Sequence, residues 1–144
     1  LRREFLDVEI VPRIPDAARE LVEQHLASAD LVAMTTATNR YITELTARHL
    51  RIEHLIASEP EVVDGRFTGR TSGTLNMREG KVVRLHSWLA SRESSIASFE
   101  VTAFSDSIND LPLLLAADRP VAVDPDEKLA AWAAEHGQPV LRLR

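Results

Sequence analysis

The segment Val101-Thr-Ala-Phe-Ser-Asp-Ser-Ile-Asn-Asp-Leu-Pro-Leu-Leu-Leu115 places two carboxylates where chemistry is most often done. A short apolar, β-prone run (Val101, Ala103, Phe104) stops at Ser105-Asp106-Ser107. A helical pattern follows, with Leu111, Leu114 and Leu115 at helical spacing and Pro112 in the one turn that tolerates it. Asp106 then stands where a strand ends and Asp110 in the opening turn of a helix. Open α/β sheets bind ligands at that edge. Two carboxylates there suit Mg²⁺, whose octahedron is completed by water and phosphate oxygens. Helix capping accounts for the same spacing, because Asp satisfies free amides and favours the positive helix end.

Two further groups have the right character. Leu31-Val-Ala-Met34 reads as a buried strand, and Thr35-Thr36-Ala37-Thr38-Asn39 reads as the turn into the next helix. Thr and Asn are good caps. Hydroxyls and main-chain amides at a helix start also form a ready anion cradle. Lys81 opens a helix in Arg78-Glu-Gly-Lys-Val-Val-Arg-Leu85, at the helix end that disfavours a cation. A lone lysine is most often solvated surface, and Arg78 and Arg84 are read that way. The five His residues at 25, 49, 54, 86 and 136 show no metal-ligand spacing and no serine partner, and His25 and His86 read as packed or half-exposed.

The elements that must hold these groups alternate. A helix is expected from Pro15 to Ala29, with Ala18, Leu21, Val22, His25 and Leu26 along one face. A helix from about Tyr41 to Leu50 precedes an apolar run at Leu55-Ile-Ala57. Glu61 to Gly69 is a hairpin turning at Asp64-Gly65. A helix from about Arg78 to Ser91 turns Val82, Leu85 and Leu89 inward. Val121-Ala-Val123 is a strand, and Asp124 after it reads as a cap for a helix from Pro125 to Glu135 that stops at Gly137. Val140, Leu141 and Leu143 form a last strand, and Trp88 and Trp132 read as core or subunit contact. Alternation of this kind predicts an α/β fold: a parallel, Rossmann-like sheet covered by helices on both faces, with a β-hairpin insertion.

At 144 residues the chain is expected to form one domain with a real core. Seventeen Lys and Arg against 22 Asp and Glu give a net charge of −5 without like-charge blocks, which argues against nucleic acid as a partner. Cysteine is absent, excluding a thiol nucleophile and disulfides and agreeing with a reducing cytoplasm. No apolar run approaches the roughly 20 residues of a membrane span. The opening Leu1-Arg-Arg-Glu-Phe-Leu-Asp7 has acids where a signal peptide would be apolar, and the lack of an initiator Met suggests a missing upstream part.

The string Ser105-Asp-Ser-x-x-Asp-Leu-Pro-Leu-Leu114 resembles the fourth motif of the haloacid dehalogenase-like hydrolases, in the subgroup that looks like phosphoserine phosphatase. Val32-Ala-Met-Thr-Thr-Ala-Thr-Asn-Arg40 resembles the second motif, and Gly73-Thr-Leu-Asn-Met-Arg-Glu-Gly-Lys81 is similar to the segment carrying the third. The resemblance runs from about Arg3 to Leu143. It implies Mg²⁺ as cofactor, held by Asp106 directly and by Asp110 through water or by orienting Asp106. It implies that Thr36, with Thr35 as the second choice, donates to a phosphate oxygen. Asn39 lines the same pocket, and Lys81 neutralises the phosphoryl group and nucleophile. The implied activity is hydrolysis of a small phosphomonoester, phosphoserine- or histidinol-phosphate-like, through an aspartyl-phosphate.

One part of that pattern is missing. The family's first motif is Asp-x-Asp-x-Thr, and residues 1–144 hold no such string. The expectation is a core domain lacking its first strand, which would lie beside the strands ending at Thr36 and Asp106, and most of its helical cap. Such a stretch should be inactive alone, because in-line phosphoryl transfer needs a nucleophile. It should also need something to fill the gap: an upstream segment, which is the favoured expectation, a strand swapped from another copy in a homo-oligomer, or a rearranged sheet. The rival reading is a non-catalytic phosphate- or metabolite-binding module, or an interaction domain using a sheet edge.

Overall fold

A computed structural model describes residues Leu1–Arg144. The chain divides into two compact units, Leu1–Leu75 with Arg144, and Asn76–Leu143. Each has its own sheet and core.

The first unit opens with three helical turns of different pitch: α1 (Arg2–Phe5), a π turn (Leu6–Ile10) and a 3₁₀ turn (Val11–Arg13). Only Leu6 of this stretch is buried. Nothing in the apolar pattern announces it. Pro12, which lacks an amide donor, sits in the last turn, and the chain leaves it extended at Ile14. Helix α2 (Asp16–Ala27) follows, starting one residue later than Pro15 because Pro15 is its extended N-cap. Strand β1 (Ala33–Asn39), α3 (Arg40–His49), β2 (His54–Val63) and β3 (Arg66–Ser72) complete the unit. β1 and β2 are parallel, β2 and β3 antiparallel, and β1 is an edge strand of this sheet. α3 packs on both β1 and β2. Ala47, Ile52, Leu55 and Ala57 form the core, with Val22, Val32, Met34 and Leu50 against it. The hairpin turns at Asp64-Gly65 with positive φ at both residues (51° and 76°), the geometry that matches the strands' right-handed twist.

β1 differs from expectation. The apolar run Leu31–Met34 is not the strand itself, since pairing begins at Ala33 and continues through the threonines to Asn39. β-branched threonines suit a half-buried pleat, and the half-buried pattern of β1 is of that kind. The ladder is regular to Thr36, opposite Ala57, and then jumps to Asn39 opposite Ser58. Ala37 and Thr38 therefore bulge from the strand.

The second unit is all parallel. α4 (Glu79–Ser91), a 3₁₀ turn (Ile96–Ser98), β4 (Thr102–Ser105), a 3₁₀ turn (Ile108–Asp110), α5 (Leu111–Ala116), β5 (Arg119–Val123), α6 (Glu127–Glu135) and β6 (Val140–Leu141) follow in order. The sheet order is β4-β5-β6, so β4 is an edge strand of this sheet. Leu143 lies beyond β6. Leu114 of α5 and Leu129 of α6 are fully buried among Ala103, Leu113, Ala122 and Ala133. Each such leucine contributes about 1.5–3 kcal/mol by leaving water. Trp132 packs against this core as expected, whereas His86 is exposed rather than packed.

Asp124 does not cap α6. The cap is Asp126, whose carboxylate accepts from Leu129 N–H at 2.8 Å. Asp124, at φ 40°, instead donates its own N–H to the Leu141 carbonyl at 2.9 Å and accepts from Leu143 N–H at 3.2 Å. Helix α6 ends as read from the sequence, with Gly137 at φ 64° just past the C-cap.

Candidate active site

β4 ends at Ser105, and Asp106 is the next residue, at the carboxyl edge of a parallel sheet. Its side chain is exposed. Asp110 is half-buried and holds the N-cap position of α5, yet its side chain makes no cap bond. The carboxylate turns instead to Lys81. Lys81 Nζ lies 2.8 Å from Asp110 Oδ1 and 2.9 Å from Oδ2. Ser105 Oγ donates to Asp110 Oδ2 at 2.6 Å and accepts from Ser107 N–H at 3.2 Å.

This arrangement settles why Lys81 sits in the first turn of α4, where the helix dipole disfavours it. The side chains of Lys81 and Asp110 are only 8% and 15% exposed, so each is the other's counter-charge in a place where water screens little. The solvated-surface reading of Lys81 is thereby excluded. Capping likewise does not explain Asp110; Ser107 caps the 3₁₀ turn after β4, accepting from Asn109 N–H at 3.2 Å. Arg78 is exposed, as read, and has φ 52°, a left-handed conformation one residue before α4.

Ser105 was not singled out by type or spacing. Its signal was available: a hydroxyl at the last, buried position of a strand that otherwise turns apolar groups inward. Asp126 was missed because Asp124, at the strand end, is the more obvious cap. Asn76, fully buried just ahead of α4, was also passed over. Asp126 N–H donates to the Asp106 carbonyl at 2.8 Å, and Asp126 Oδ2 accepts from Ile108 N–H at 2.9 Å. The main-chain amides of Ile108 and Leu129 hold the Asp126 carboxyl below the usual carboxylate range.

In the other unit, Thr36 is half-buried at the last regular rung of β1, with Oγ1 accepting from Thr38 N–H at 3.2 Å. Asn39 is the N-cap of α3; its side-chain oxygen accepts from Ile42 N–H at 3.0 Å. Its amide NH₂ is not used by that cap.

The donors of Asp106 and Asp110 are hard oxygens, and no group of three or more His, Cys, Asp or Glu side chains is placed to hold a metal ion. Both oxygens of Asp110 already face Lys81 or Ser105, whereas those of Asp106 are open to solvent. Such a donor set suits Mg²⁺, which keeps several waters and takes one or two carboxylates. It does not suit an ion that demands a closed side-chain cage.

The α/β core thus sets an acidic pair at the end of β4 and pairs its second member with a buried lysine of α4. The comparisons make the family definite. The family model of haloacid dehalogenase-like hydrolases matches residues 1–115, and the chain belongs to that family. It is 40% identical over 144 residues to a histidinol-phosphatase of Neisseria meningitidis, covering 99% of this chain and 65% of that protein. It is 36% identical to a phosphoserine phosphatase of Mycobacterium tuberculosis, covering all of this chain and 46% of that protein. A solved structure of a Bordetella pertussis protein of unknown function superposes with a TM-score of 0.97 at 44% identity, over 99% of this chain and 65% of that one. The chain thus spans about half to two thirds of the length of these relatives. No helix is long and apolar enough to cross a membrane.

Proposed function

We propose that the protein is a Mg²⁺-dependent phosphatase acting on a small, polar phosphomonoester in the cytoplasm. The observation that carries this reading is the buried Lys81–Asp110–Ser105 cluster beside the open carboxylate of Asp106. The names of the relatives support phosphoserine and histidinol phosphate as the substrate class. In this reading the two compact units are halves of one core domain.

Each residue has a task. Asp106 would hold the cation through its free carboxylate oxygens, and Asp110, held by Lys81 and Ser105, would act through water or by steadying Asp106. When bound, the cation offsets charge that develops on the phosphoryl oxygens. Lys81, placed by its ion pair, adds positive charge for the same oxygens. Thr36 donates through its hydroxyl to a phosphate oxygen, and Asn39 donates through the NH₂ that its cap bond leaves over. The attacking carboxylate is that of an Asp-x-Asp-x-Thr motif, which residues 1–144 do not hold; the reaction would proceed through its aspartyl-phosphate.

The test is turnover of a phosphomonoester panel by the full-length protein, with and without Mg²⁺. Asp106→Asn should abolish Mg²⁺-dependent turnover while leaving the melt nearly unchanged, since the carboxylate is exposed. Wild-type rates in that variant at sub-millimolar Mg²⁺ would refute the metal assignment. Phosphate binding without turnover in the wild type would favour the non-catalytic binding module.

A further inference from the structure

The stretch that carries Asp106 is tied down mostly by itself. Ser107 N–H reaches back to Ser105 Oγ at 3.2 Å, Asn109 N–H to Ser107 Oγ at 3.2 Å, and Asp110 N–H to the Ser107 carbonyl at 3.0 Å. Lys81 holds the far end of this stretch at Asp110, and the two bonds that reach the main chain of Asp106 and Ile108 from elsewhere in the unit both come from Asp126. Its N–H holds the Asp106 carbonyl at 2.8 Å, and its Oδ2 holds Ile108 N–H at 2.9 Å. The two grips fall on Asp106 itself and on the residue two further on. They fix the direction in which the chain leaves β4.

A helix cap does not need this much. The bond from Leu129 N–H to Asp126 Oδ1, 2.8 Å long, already caps α6, and a Ser, Thr or Asn side chain would supply it equally well. The second oxygen is what exceeds the requirement. Only an ionised carboxylate presents two acceptor atoms in this way; an amide of the same shape presents one acceptor and a donor. The excess acceptor is spent on the turn beside the proposed cation ligand.

We propose that Asp126 is a positioning residue for the cation site: it orients the Asp106–Ile108 turn so that the Asp106 carboxylate is held ready, in addition to capping α6. This rests on the assignment of Asp106 as a ligand. It goes beyond it by giving a task to a residue that touches neither cation nor substrate. Groups that orient metal ligands typically change metal affinity by about 10–100-fold when removed.

Asp126→Asn separates the two tasks. The amide oxygen keeps the cap to Leu129, the main chain keeps the bond to the Asp106 carbonyl, and the NH₂ meets Ile108 N–H donor to donor. Mn²⁺ binding to the full-length protein, followed by electron paramagnetic resonance, reads the site without turnover. Asp126→Asn should weaken Mn²⁺ binding about tenfold. It should raise the Mg²⁺ concentration for half-activation by a like factor with kcat at saturating Mg²⁺ largely kept. Exchange of the Ile108 amide should quicken while the melting temperature holds. Asp126→Ser, a second good cap with a single oxygen, should behave the same way, and it stands in should the Asn variant fold poorly. Wild-type Mn²⁺ affinity in both variants, with affinity lost in Asp106→Asn, would leave the metal assignment standing and overturn the role of Asp126. Wild-type Mn²⁺ affinity in Asp106→Asn would overturn both.

Discussion

At the end of β1 the polar groups are neutral and answer to nearby backbone. Thr36 accepts from Thr38 N–H two residues on, and Asn39 caps the helix that starts beside it. At the end of β4 the half-buried carboxylate, Asp110, is charged and answers to a distant side chain. Asp110 is met by Lys81 from 29 positions away in sequence. The difference follows from desolvation. A hydroxyl or amide taken from water is satisfied by one local hydrogen bond, which the bulge after Thr36 and the first turn of α3 supply. A half-buried carboxylate is not; it needs a counter-charge, and a counter-charge must be brought by another element. The β1 end can therefore be altered residue by residue, whereas the β4 end should fail as a unit.

The largest expected effect breaks that unit. Lys81→Met keeps the stem's volume and leaves Asp110 buried with Ser105 as its remaining partner. Removing one member of a buried ion pair typically costs about 3–5 kcal/mol, and the low exposure of this pair places it in that class. Urea unfolding should show the loss, and turnover should vanish with it. The double variant Lys81→Met/Asp110→Leu should regain most of the stability, because no charge is then left unpaired, yet remain inactive. A Lys81→Met protein as stable as wild type would show that the pair is better hydrated than its burial implies.

A smaller effect is expected at the other strand end, where one residue has two atoms to spend. Asn39→Ala removes the cap of α3 and should cost about 1 kcal/mol. Asn39→Asp keeps a capping oxygen and loses the NH₂. If that NH₂ serves phosphate, the Asp variant should hold its stability while inhibition by inorganic phosphate weakens severalfold. Unchanged inhibition in Asn39→Asp would reduce Asn39 to a cap and leave Thr36 as the contribution of this strand end.

The same contrast explains what was legible in the sequence. Features set by neighbours in the chain could be read directly: the Asp64-Gly65 turn, the start of α3, the stop of α6 at Gly137, and the placing of Asp106 just past a strand. Features that depend on a partner far along the chain could not. Nothing near Lys81 says that it is buried; its partner does. Ser105 matters because Asp110 turns back toward it instead of capping α5. Asp126 was hidden because the strand β5 ends at Val123 and makes Asp124 the nearer candidate, yet the left-handed Asp124 spends its carboxylate on Leu143. The start of β1 was misplaced for a different reason. Hydrophobicity marks Leu31 and Val32, whereas pairing with β2 runs through threonines whose β-branching, not apolarity, suits the strand.

The smallest effect comes from an ion pair that the β4 cluster should dwarf. Arg2 bonds the Glu44 carboxylate while also donating to the Tyr41 carbonyl at 2.6 Å and lying 3.9 Å over the Tyr41 ring. The Arg2 hydrogen bond, more than any other cause, holds the Glu44 carboxyl below its ordinary value. The folded state therefore binds this proton less readily than the unfolded chain does. The stabilisation is fully present above the carboxyl's unfolded pKa and is lost as pH falls through the lower, folded one. Side chains 34% and 29% exposed leave the pair well screened, so its worth at neutral pH should stay below about 1 kcal/mol. Glu44→Gln should accordingly lower stability slightly at pH 7, and the gap to wild type should close in acid. High salt should narrow the same gap, because a solvent-facing pair is screened by ions while a buried one is not. Urea melts of wild type and Glu44→Gln across the acid range check this, alongside the Lys81→Met series at high salt. A Glu44→Gln gap that persists in acid would mean that the neutral hydrogen bond and the ring contact, and not the charge, hold Arg2 in place.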